Sequence, residues 1–116
     1  MLAIMMLASM GRCAAADLCP TDQELIAAVM SRDAESASAA SDQAAAAGEI
    51  VMVHPERVRR ITDVICSDAL PGNVPMITCR MTVRYWSTEA FQVAKLRRDG
   101  NMWSIAEALA VVRDRR

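Results

Sequence analysis

From Met76 to Trp86 the side chains alternate with a period of two. Cys79, Met81, Val83 and Tyr85 fall on one side, and Arg80, Thr82, Arg84 and Trp86 on the other. A helix would scatter these apolar residues around its axis, whereas a strand gathers them on one face. Ser87-Thr88 then closes a short hairpin into a run from Glu89 to Arg98. Asp99-Gly100, the strongest short hairpin signal in the chain, turns into a third run from Met102 to about Ala108. Two-residue loops at both turns put Cys79 opposite Leu96, Met81 opposite Ala94, Leu96 opposite Trp103 and Ala94 opposite Ile105. One face then collects Cys79, Met81, Val83, Ala94, Leu96, Trp103 and Ile105. The other carries Arg80, Thr82, Arg84, Phe91, Lys95, Arg97 and Ser104. A slip of one residue would exchange the faces, so two separate turns agree on which side is buried.

The N-terminal half supplies a cover for that face. Thr21 and Glu24 form the reciprocal capping pattern of a helix start. Leu25, Ile26, Val29 and Met30 follow as an apolar stripe, which predicts a helix over 21–33. The segment 34–47 is alanine- and serine-rich and ends at Gly48. It fits a continuation of that helix, a second helix capped at Ser41, or a linker. Glu49 to Val53 could form a short strand before His54-Pro55 interrupts it. Arg57 to Cys66 fits helix or strand, and its β-branched second half, Ile61 to Cys66, favours a strand. Ser67 to Val74 holds the Pro71-Gly72-Asn73 turn, and Arg113 to Arg116 reads as a basic tail. The fold class is therefore α+β: an N-terminal helix, with or without an alanine-rich second one as its extension, on a three- to four-stranded antiparallel meander. In layout this is similar to small exported domains of the cystatin-like and NTF2-like kind. That resemblance spans roughly residues 21–108 and carries no activity with it, because such folds host many functions.

The compartment follows from the first residues and the cysteines. Leu2 to Met10 is an apolar run of signal-peptide length, and Ala14-Ala15-Ala16 offers small residues for cleavage. The reading divides the chain into a leader, 1–16, and one small domain, 17–116, that is periplasmic or secreted. No basic residue precedes the apolar run, and Arg12 sits where leaders carry no charge. The run is too short to span a membrane. Arg12 directly before Cys13 also departs from the small residue that a lipid-acceptor cysteine requires. The four cysteines, Cys13, Cys19, Cys66 and Cys79, contain no CxxC pair and match no zinc module. Cys66 and Cys79 flank the Pro-Gly turn and are expected to form a disulfide. Removal of Cys13 with the leader would leave Cys19 free, tethered to a partner or joined in a dimer.

No catalytic motif, phosphate-cradling loop, metal-ligand set or cofactor fingerprint is present. His54 is the lone histidine, and its place before a proline reads first as a loop residue. Charge is segregated: Asp17 to Glu49 holds seven acids against Arg32, and the chain from Ile50 holds eleven basic residues against seven acids. This pattern fits an acidic helical layer over a basic sheet. Nucleic acid is not expected, since base-stacking aromatics do not interleave with the basic residues. Arg80, Arg84, Lys95 and Arg97 are candidates for an anion- or partner-binding face, with Trp86 and Phe91 as contact aromatics. Arg80 is expected opposite Lys95, and Arg84 over the Phe91 ring as a cation–π pair. The leading expectation is a non-enzymatic domain that binds another protein or assembles with itself. The alternative is a small-ligand pocket between helix and sheet, with an enzymatic role around His54.

Overall fold

Thr21 begins the helix as its spacing predicts. Its hydroxyl accepts from the Glu24 N–H at 3.2 Å while the Glu24 carboxylate accepts from the Thr21 N–H at 2.8 Å. The computed structural model describes residues 12–15, 17–49 and 54–115, and among them this helix, α1, runs unbroken from Asp22 to Ala46. The alanine-rich segment is its second half, so it forms no separate helix of its own. Ser41 does not cap anything: its hydroxyl turns back to the Ala37 carbonyl at 3.0 Å inside the helix. Alanine needs no partner to remain helical, which is why a stretch with so few large side chains still extends α1. The stop comes at Gly48, whose φ of +84° suits a residue without a Cβ. There the Gly48 and Glu49 N–H groups donate to the Ala45 and Ala44 carbonyls, a Schellman closure.

Four strands follow: β1 (Val58–Leu70), β2 (Met76–Tyr85), β3 (Thr88–Asp99) and β4 (Met102–Arg115). They form one antiparallel sheet in sequence order. The ambiguous segment 57–66 is strand from Val58 onward, longer than Ile61 to Cys66. The expected strand at 49–53 is not formed at Glu49, and residues 50–53 lie outside the described residues, as does the apolar run Leu2 to Met10. β4 extends through most of what reads as a basic tail. It does so by bulging at Ala106 and Leu109, the residues passed over where its register against β3 shifts.

Both hairpins pair two residues away from the expected register. Cys79 faces Ala94 rather than Leu96, and Leu96 faces Ile105 rather than Trp103. A shift of two keeps every side chain on its face, so the predicted burial survives. At the β3–β4 turn, Gly100 takes the left-handed first position with φ +64°, which makes Gly100-Asn101 the loop between the Asp99–Met102 pair. At the β2–β3 turn, the Ser87 N–H and hydroxyl both donate to the Glu56 carboxylate, and the connection widens to the residues between Arg84 and Glu89.

α1 packs on the inner face of the sheet through Leu25, Ala28, Val29 and Ala37, all buried. Beneath them Ile77, Cys79, Met81, Val83, Ala94 and Leu96 are fully inaccessible. Met30, at the end of the expected stripe, is instead exposed. Two disulfides complete the core. Cys66 and Cys79 are cross-strand partners joined at an S–S distance of 1.99 Å. Cys19, expected without an intrachain partner, is bonded to Cys13 at 2.02 Å, and no free cysteine remains. No helix of the described residues is long and apolar enough to cross a membrane.

The Cys66–Cys79 link closes a loop over a sequence separation of 13. A loop of that size constrains the unfolded chain by about 3 kcal/mol in the entropy model. The double variant Cys66→Ala/Cys79→Ala should therefore lose about that much stability in urea unfolding under oxidising conditions. A loss below about 1 kcal/mol would show that the β1–β2 pairing does not depend on the link.

Candidate functional site

Among the places where the described residues gather polar and charged side chains, two hold the residues that the sequence singles out. The first is the outer face of the sheet, which α1 leaves uncovered. Pairing places residues in rungs across all four strands. One rung is Ile65, Arg80, Val93 and Ala110; the next is Thr62, Thr82, Phe91 and Val112. Ile65, Phe91 and Val112 are exposed at 46%, 45% and 59%, so an apolar band crosses the middle of the face. Beyond it lie Ser67, Thr78, Lys95 and Glu107, then Leu70, Met76, Arg97 and Ser104.

The four basic residues singled out on this face do not form one cluster. Arg80 is not opposite Lys95: its cross-strand neighbours are Ile65 and Val93, while Lys95 lies between Thr78 and Glu107. The two-residue shift of register is the cause, and it removes the like-charge conflict. Arg84 is not stacked on Phe91. It pairs with Glu89 at 3.0 Å and donates to the Thr62 hydroxyl at 3.3 Å. Its charge is thus locally compensated. Arg80 and Arg97 are exposed and, among the described residues, make no ion pair. Trp86 is 68% exposed at the hairpin end, with the Arg59 guanidinium 5.4 Å from its ring centre.

The second place is a cleft of about 390 Å³ between α1 and one end of the sheet, lined by Asp33, Ser36, His54, Glu56, Tyr85 and Arg113. Its construction begins on the helix. Leu25, Val29, Asp33 and Ala37 recur at intervals of four and therefore share one face. Asp33 is the single charge in that row, and it accepts a 2.7 Å hydrogen bond from the Tyr85 hydroxyl. Tyr85 ends the inward row of β2 and is buried, so its hydroxyl needs such a partner. Burial first, and then the Asp33 carboxylate, push the Tyr85 phenol well above its ordinary value of 10.0. The Arg113 guanidinium stands 5.5 Å from the ring centre and opposes that shift. A phenol held so firmly in its protonated form is a hydrogen-bonding group at neutral pH rather than a base. His54 is exposed at the rim, and next to it the bonds from Ser87 hold the Glu56 carboxyl below its ordinary value of 4.5.

Sequence reading singled out His54 but missed Asp33, Tyr85 and Arg113. The available signal was the carboxylate standing in an apolar helical row. Among the described residues no group of three or more histidine, cysteine or acidic side chains could hold a metal ion. Compared with known proteins, the chain matches no family model, no curated protein and no solved structure at a significant level.

Tyr85 is the sole tyrosine, so phenolate absorbance reports on it alone. The folded protein should show no ionisation step near pH 10, where the unfolded chain titrates, and Asp33→Asn should bring the folded step down toward that value. In linkage terms, a raised phenol pKa stabilises the fold fully below pH 10, and that contribution is lost as pH rises through the folded value. A phenolate step at the ordinary pH in the folded protein would contradict the Asp33–Tyr85 bond.

Proposed function

We propose that this is an exported protein-interaction domain whose contact surface is the outer face of the sheet. The observation that carries the reading is the apolar band of Ile65, Phe91 and Val112 on the side of the sheet away from α1, with Arg80 unpaired within it and Arg97 beyond. A partner with an apolar patch rimmed by carboxylates would bury the band and neutralise both guanidinium groups. Arginine suits such a contact because its planar fork meets a carboxylate with two hydrogen bonds. Two disulfides in a small domain fit an oxidising compartment, and export is the second half of the proposal.

The test is site-specific capture in the native host. A photo-crosslinking side chain in place of Phe91 should trap a defined partner, whereas the same group in place of Ser38, on the exposed side of α1, should not. The charge reversal Arg80→Glu/Arg97→Glu should remove that product without shifting the melting temperature by more than a few degrees. Equal capture from both positions would defeat the assignment of the sheet face. A product of twice the chain mass would identify the partner as a second copy.

The helix–sheet cleft favours a second reading, a binding site for a small polar ligand. The observation behind it is that Tyr85, Asp33, Arg113 and His54 converge on one space of about 390 Å³. Native mass spectrometry of protein purified from the host should then show a retained small molecule, lost in both Tyr85→Phe and His54→Ala. A bare protein mass in the wild type counts against this reading.

A further inference from the structure

The peptide bond between Ala16 and Asp17 lies inside the loop that Cys13–Cys19 closes. Arg12 to Ala15, ahead of that bond, belong to the folded domain. Cys13 is buried, 5% exposed, and its backbone forms a parallel bridge with Cys66 on the outer edge of β1. Two hydrogen bonds make that bridge: Cys66 N–H to the Arg12 carbonyl at 2.7 Å, and Ala14 N–H to the Cys66 carbonyl at 3.1 Å. The Arg12 side chain reaches the start of α1, pairing with Asp22 at 2.6 Å and donating to the Pro20 carbonyl at 3.1 Å. Residues 12–15 and 17–19 thus form a clasp from the edge of the sheet to the first turn of the helix, with Leu18 buried under it. Cleavage after Ala16 would remove Cys13 and both backbone bonds, and strand Cys19 without its partner.

The sequence offers another boundary. Leu2 to Ala8 is an apolar core of seven residues, and Ser9 and Gly11 are small residues at the third and first positions before Arg12. We propose that the leader is removed between Gly11 and Arg12, so that the mature domain begins at Arg12 and keeps all four cysteines. The inference rests on the export reading above. It also accounts for an arginine that fits no leader: Arg12 is the first residue of the domain, where its charge pairs with Asp22. The cut is a hydrolysis by the host leader peptidase, in which water gives Gly11 a carboxylate and Arg12 an ammonium group. The Cys13 and Cys19 thiols then pass two electrons and two protons to a disulfide-donating oxidase of the same compartment. With its sulfur in that bond, Cys13 is not a lipid acceptor.

The chain should be expressed with its own N-terminus in the native host and the extracytoplasmic fraction weighed intact, with and without reductant. The expected species begins at Arg12 and gains four hydrogens on reduction. Gly11→Leu should block or displace the cut, and Ala16→Leu should leave it unchanged. Peptide mapping without reductant should recover Cys13 joined to Cys19. An exported chain that begins anywhere other than Arg12, Asp17 included, overturns the proposed boundary and leaves export standing. A lipid on Cys13 does the same. A full-length chain confined to the cytoplasm overturns export and the boundary together.

Discussion

The bond between Cys66 and Cys79 fixes the part of the sheet least able to fix itself. β1 holds aspartates in left-handed backbone at positions 63 and 68, and its pairing with β2 shifts beside each of them. Between the two irregularities only Ile65, Cys66 and Ser67 pair in regular register, against Arg80, Cys79 and Thr78. Such a short run of ladder bonds specifies little by itself, and the covalent link at its centre decides which residues meet. The same Cys66 carries the Arg12–Ala14 clasp on its other side through both of its backbone polar groups. Two disulfides, one edge strand and the entry to α1 are therefore referred to one residue.

How much of this was legible follows from where side-chain period alone is decisive. The alternation of Cys79, Met81, Val83 and Tyr85 marks β2 and its buried face, and the buried residues of β3 and of β4 up to Trp103 follow by pairing. The loop lengths were not legible, because Glu56 takes the Ser87 donors from a segment far away in sequence. That changes the rung to which Arg80 belongs while leaving its face unaltered. The Cys66–Cys79 pair was legible, but the Cys13–Cys19 pair was not, because reading residues up to Ala16 as a leader sets Cys13 aside. An odd cysteine count in an exported domain was itself the warning. Asp33 was overlooked for a different reason. Its meaning depends on Tyr85, 52 residues away in sequence, and only tertiary packing joins them.

The two faces of the sheet have unlike chemistry because α1 covers only one. Under the helix the row closes with Tyr85, whose hydroxyl ties β2 to Asp33. The cleft opens beside that bond, where Ala37 is the last buried residue of α1. On the far side no side chain has to meet a helix. Threonines line the middle of β2 there, with Arg80 between them and Ile65, Phe91 and Val112 around them. The charge separation in the sequence maps onto these layers as a difference in balance, since the helix carries five acids against Arg32 and the strands carry nine bases against six acids.

The clasp also bears on a hazard common to open sheets. An edge strand offers unpaired N–H and C=O groups to any extended chain nearby, and natural sheets blunt such edges with bulges, charges or cover. Here the edges are protected by different means. β4 relies on bulges at Ala106 and Leu109 and on the charged run that closes the apolar stretch Leu109 to Val112, an arrangement of gatekeeper residues. β1 relies on two left-handed aspartates and on the covering residues Arg12 to Ala14, which the Cys13–Cys19 bond holds in place. Oxidation therefore does more than add stability. It shuts a β1 edge that the reduced chain leaves without its covalent guard.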